Sequence, residues 1–168
     1  MAGSGHKKFY WDSCVYLAWL NQEQNKKDFL PDIDEILKEN AEHKAVIITS
    51  QITIIEVLEA SLDESQRDKL SEALNRSWNV LYDVDWPIAR KAHDIRAAYQ
   101  NDPATKKTPS TPDAIHMATA ALLQVDEMHT FDGGGKRGFS ILAQDGHAFV
   151  DKIRICKPKA INRPLPGI

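Results

Sequence analysis

The sequence has little cysteine: Cys14 and Cys156 are the only two in 168 residues. They lie far apart, with no spacing that suggests a disulfide framework or a zinc ligand set, so a reducing, cytoplasmic setting is expected. Long apolar runs are missing too. No stretch approaches the roughly 20 residues that cross a bilayer, and the N-terminus has no apolar signal core, which argues against insertion or export. Charge of one sign is also lacking, since 21 Lys and Arg stand against 24 Asp and Glu for a net −3. That balance excludes a globally basic coat for duplex nucleic acid; any phosphate contact must use a local patch. No internal repeat or low-complexity segment is present, and Gly133-Gly134-Gly135 lacks the spacing of a phosphate-binding Walker loop.

What is present is an ordinary globular composition, 42% hydrophobic and 27% charged, at a length suited to one compact domain. Residues 1–6 read as a flexible leader or a remnant of expression, residues 7–156 as the domain and 157–168 as a tail. Phe9-Tyr10-Trp11 is a strand, followed by a helix for which Ser13 is the expected cap. A short helix from Asp32 to Lys38 precedes the buried strand Ala45 to Thr49, and a helix carrying Glu56 follows. A polar helix from Ser65 to Trp78 leads to a strand at Val80 to Val84, then to a helix capped by Asp85 with Pro87 in its first turn. After a proline-rich loop, Thr111 is the expected cap of a helix with Pro112 at its first position. Met128 to Phe131 and Ile153 to Cys156 complete the strands. Strands alternating with helices predict an α/β domain, its mostly parallel sheet covered on both faces.

Acidic residues fall at telling places in that frame. Asp12 and Asp132 follow predicted strands, at the sheet edge where open α/β folds bind ligands. Glu56 and Asp113 lie on helices that can reach the same edge. Taken singly, each acid is also explained as a cap or a solvated charge, and Asp113 by the electrostatics of a first helical turn. Together they form a cluster that tolerates full ionisation only beside a cation, and hard divalent ions with oxygen ligands, magnesium or manganese, suit it. A phosphodiester is the matching substrate. Ser13 and Thr130 are candidate donors that orient the carboxylates, and His116 shares the helix face of Asp113. Lys106, Lys107, Lys136 and Arg137 are candidate contacts to phosphates.

These segments resemble the PIN domain, in particular the VapC-like toxins of toxin–antitoxin pairs. Phe9 to Ser13 looks like the first strand with its leading acid, Ile55-Glu56-Val57-Leu58 like the second acidic motif, Pro112 to Ala120 like the third and His129-Thr130-Phe131-Asp132 like the fourth. The resemblance implies a three-layer α/β/α sandwich, a magnesium- or manganese-dependent endoribonuclease with Asp12, Glu56, Asp113 and Asp132 as metal ligands and catalytic residues, single-stranded RNA as substrate, an antitoxin partner and a homodimer. Many relatives place a further acid just after the fourth motif. Here Gly133 to Arg137 follows Asp132, so one or two ions remain open. Two alternatives are weighed beside it. A non-catalytic PIN-like module that binds RNA or a partner would need a broken acidic set. A phosphatase with Asp12 as nucleophile would carry a second aspartate two residues on, where Cys14 stands.

Overall fold

The computed structural model describes residues 6–105, 107–135 and 138–161. Most of the leader, the end of the tail, and Lys106, Lys136 and Arg137 lie outside the described residues. Five parallel strands and six α-helices are found among those described. In chain order they are β1 (Lys7–Trp11), α1 (Ser13–Asn21), α2 (Leu30–Ala41), β2 (Ala45–Ser50), α3 (Gln51–Glu59), α4 (Glu64–Leu74), β3 (Asn79–Tyr82), α5 (Trp86–Asn101), α6 (Thr111–Leu122), β4 (Glu127–His129) and β5 (Ile155–Cys156). Short 3-10 turns occupy Gln24–Lys26, Leu142–Gln144 and Ala148–Val150.

The sheet order is β3-β2-β1-β4-β5. The chain moves outward from β1 through β2 to β3, then returns to the other side of β1. Crossover connections reverse direction there, so a crevice opens at the C-terminal ends of β1 and β4. Register fixes which faces meet: Tyr10 pairs with Met128 and Trp11 with His129, while Phe9 pairs with Ile47. The two-residue period of a strand then sorts the side chains. Phe9, Trp11 and Ile47 pack with Val15, Ile33 and Ile36 of α1 and α2. Tyr10, Ile48 and Met128 pack with Ile95 of α5 and Met117 of α6. These two cores make three layers, as the sequence predicts. No helix of the described residues is long and apolar enough to cross a membrane.

Local chemistry moves several expected boundaries. Asp12 rather than Ser13 caps α1, because β1 runs up to Trp11 and leaves Asp12 as the single extended residue before the helix. Ser110 rather than Thr111 caps α6; its hydroxyl accepts from the Asp113 amide while the Asp113 carboxylate accepts from the Ser110 amide, a reciprocal box that fixes the start of the helix. A similar box between Asp63 and Gln66 starts α4, which ends at Leu74 well before Trp78. Strand β3 begins and ends earlier than expected, and β4 stops at His129, so Thr130 and Phe131 lie in the turn that follows.

Met128 is fully buried on a strand hydrogen-bonded on both sides. Met128→Ala should therefore lower unfolding stability by about 2–5 kcal/mol, measurable as a reduced urea midpoint with unchanged slope. A smaller loss would mean that this layer collapses to fill the space.

Candidate active site

Asp12, Glu56, Asp113 and Asp132 line one cleft of about 290 Å³, together with Ser13, Cys14, Lys26, His116, Phe131 and Ile141. The sheet supplies two of the acids and the helices the others. Asp12 follows β1 and is only 3% exposed. Its Oδ1 accepts from the Cys14 amide at 3.1 Å and from the Cys14 thiol at 2.7 Å. The same Sγ accepts from the Phe131 amide at 2.9 Å, so one sulfur ties the exits of β1 and β4 together. Thr130 adds a hydrogen bond to Asp12 and accepts the Asp132 amide at 2.9 Å.

Each remaining acid also has a fixed donor. Gly134 gives its amide to Asp132 Oδ1 at 2.8 Å. That turn needs glycine: φ at Gly134 is +72°, and a Cβ there would meet the Phe139 carbonyl oxygen at 2.6 Å. Asp113 is held by Ser110 at the N-terminus of α6. Glu56, on α3, accepts from His116 Nε2 through Oε2 at 2.8 Å. Ser13 also bonds Glu56, so its hydroxyl serves that acid.

Electrostatics show what this confinement costs. Burial pushes the Asp12 carboxyl above its ordinary range, against the pull of His116, Cys14 and Thr130. Asp132 is raised too, by burial first and then by the like charge of Asp113. Glu56 goes the other way: burial raises it, but the hydrogen bonds of His116 and Ser13 bring it below its usual value. The site is all oxygen, and two of its acids, Asp12 and Asp132, resist ionising, a cost that a hard dication relieves, so these side chains fit magnesium or manganese.

A different cluster brings its donor atoms closer together. Glu127, His129 and Cys156 have potential ligand atoms within 4.8 Å of one another, and no trio of the cleft acids among the described residues is that tight. Hydrogen bonding argues against a metal there. Trp11 Nε1 can only donate, and it lies 3.1 Å from His129 Nδ1. The imidazole proton is thereby assigned to Nε2, 3.0 Å from Glu127 Oε2, and no lone pair is left facing the cluster. Lys7 closes the network on Glu127 Oε1 at 2.9 Å. The cleft acids stand further apart, which suits an ion that keeps waters and shares substrate oxygens.

Lys107, one of the basic residues singled out in the sequence, is exposed and donates to the Gly138 carbonyl at 2.7 Å; it does not line the cleft. Lys26 does, pairing with Glu23 at 2.8 Å and lying 4.8 Å over the Phe131 ring. Nothing in the sequence pointed to it, because the 3-10 turn carrying it has no periodic signature. Tyr10, whose hydroxyl meets His116 Nδ1 at 2.6 Å, was legible only as part of a buried strand.

The family described as PIN domain matches residues 9–137 of the chain. Among solved structures, the fold is similar to VapBC2 from Rickettsia felis bound to a DNA fragment from its promoter, with TM-score 0.61 at 13% identity, covering 89% of this chain and 98% of that one. It is also similar to the sarcin–ricin loop cleaving toxin VapC20 from Mycobacterium tuberculosis, with TM-score 0.53 at 14% identity over 79% and 98% of the two chains. FitAB bound to a DNA fragment gives TM-score 0.56 at 18% identity over 92% and 98%. Among curated proteins no significant match is found.

Two opposite pH effects follow from the shifted acids. Asp12 binds its proton more tightly when folded, so its ionised form costs stability at neutral pH, by about 1.4 kcal/mol per unit of displacement. Asp12→Asn should raise the urea midpoint of the metal-free chain at pH 7, with the gain vanishing as pH falls below 3.8, the ordinary value. Glu127 is lowered to about 2, chiefly by its bond from His129. Its contribution is complete above 4.5 and is lost as pH falls toward 2, so Glu127→Gln should flatten that acid limb. An Asp12→Asn chain that melts earlier at pH 7 would contradict a burial cost at the Asp12 carboxylate.

Proposed function

The chain belongs to the PIN domain family, and from that membership and the acidic cleft we propose that it is a magnesium-dependent endoribonuclease, the toxin of a toxin–antitoxin pair. The observation that carries the reading is the convergence of Asp12, Glu56, Asp113 and Asp132, remote in sequence, on one cleft at the sheet's topological switch point. In this reading those four carboxylates hold the ion, manganese serving as well as magnesium. When bound, the ion supplies Lewis-acid polarisation of a phosphoryl oxygen and a more acidic water.

The protein's own part is positioning. Cys14, Thr130, Gly134, Ser110 and His116 hold the acids by hydrogen bonds, so the site is arranged before substrate arrives and little reorganisation is needed at reaction. Lys26 at the wall of the cleft is the described cation placed to meet the phosphates of the RNA. A protein that cleaves the sarcin–ricin loop among the fold neighbours favours a nucleic-acid strand as the occupant. The apolar side chains of Ile55, Leu58, Val84 and Trp86 are exposed, Trp86 by 77%, which supports a protein partner: an antitoxin, a second copy of the chain, or both. A cytoplasmic setting completes the proposal.

The test is cleavage of a panel of structured RNAs with magnesium, with a chelator, and by Asp12→Asn and Asp113→Asn chains. Cleavage should stop with the chelator, and each substitution should slow it on the order of a thousandfold, about 4 kcal/mol of transition-state stabilisation. Saturating magnesium, at a hundred times its Kd, should also stabilise the wild-type chain by about 2.7 kcal/mol and the variants by less. Cleavage that survives both substitutions would sink the assignment.

A further inference from the structure

We propose that Tyr10 and His116 are a positioning pair that sets Glu56 for the reaction, an inference that rests on the nuclease reading of the same cleft. Three elements meet there. Tyr10 of β1 is fully buried and points to the α6 face, because the strand pleat sends Phe9 and Trp11 the other way. His116 is on α6, 2% exposed, and Glu56 is on α3. Tyr10 Oη lies 2.6 Å from His116 Nδ1, and His116 Nε2 lies 2.8 Å from Glu56 Oε2.

The direction of these bonds decides their meaning. An ionised carboxylate only accepts, so the proton between His116 and Glu56 sits on Nε2. In the neutral imidazole the Tyr10 hydroxyl then donates to the lone pair on Nδ1. One tautomer satisfies both contacts at once. His116 therefore holds Glu56 by a fixed donor instead of carrying protons to and from substrate, and Tyr10, which touches no substrate, selects the tautomer that makes this possible. A buried histidine with a merely structural role ends its bonds on backbone or within the core. This chain of bonds ends on a cleft acid that Ser13 holds as well, with Asp12 alongside.

The full-length chain tests the pair in two ways. Imidazole nitrogen shifts in the metal-free protein should show His116 as the Nε2–H tautomer, and Tyr10→Phe, nearly isosteric and checked by its amide spectrum for folding, should admit the Nδ1–H form. In steady-state RNA cleavage, Tyr10→Phe and His116→Leu should lower kcat by about 10–100-fold, as removal of partners that orient site ligands does, with KM for RNA unchanged. His116→Gln, whose amide can still donate to Glu56, should recover part of the loss. An Nδ1–H signal in wild type, or variants that cleave at the wild-type kcat, would overturn the inference alone. A wild-type chain that cleaves no RNA would overturn the nuclease reading beneath it.

Discussion

Confinement of carboxylates at one sheet edge, where burial opposes the ionisation of Asp12 and Asp132, is the constraint on which the rest of the structure turns. Asp12 and Asp132 leave adjacent parallel strands, so the register that pairs Trp11 with His129 brings their exits side by side. Neither can retreat. Asp12 is anchored as the cap of α1, and Asp132 by the turn at Gly134. Because Asp113 adds a third charge through a helix start locked by Ser110, the cluster stores unfavourable electrostatic energy that the two hydrophobic cores must outweigh. A protein selected for stability alone would gain by neutralising it.

Ionisable side chains also gather at Glu127, His129, Cys156 and Lys7, and comparison of the two places separates structure from function. At Glu127 the charges alternate, every strong donor has an acceptor, and the carboxyl falls to about 2. That network is content as it stands. In the cleft Asp12 and Asp132 are displaced upward, held by donors yet short of positive charge. Closeness of potential ligand atoms alone would have chosen the first cluster. The direction of displacement, with the hydrogen-bond direction set by Trp11, favours the second as the site of the proposed ion.

Much of this was legible in the sequence because it depends on local pattern. The strand at Phe9 to Trp11, the apolar run from Ala45, Pro87 after Asp85 and Pro112 before Asp113 each carry a short-range signal, and the helix and strand order then fixes a parallel sheet. Caps were misplaced by one residue, Ser13 for Asp12 and Thr111 for Ser110, since neighbouring residues of equal capping propensity are separated only by where the preceding segment ends. Lys26, the Cys14 sulfur bridge and the Tyr10 contact were not legible. Each is a tertiary contact made by a side chain, most of them brought about by strand register, and propensity holds no information about that.

Cys14 shows how such a contact can matter more than its residue type suggests. Burial and the Asp12 charge raise its thiol well above the ordinary range, so it stays protonated and poorly nucleophilic. A protonated thiol can donate to Asp12 while its sulfur accepts the Phe131 amide, which a carboxylate in its place could not do. An aspartate two residues after Asp12, as the phosphatase pattern demands, would add a further charge to a cluster already strained and remove the bridge between the exits of β1 and β4. The same small side chain thus disfavours one chemistry and steadies the acids on which the proposed one rests.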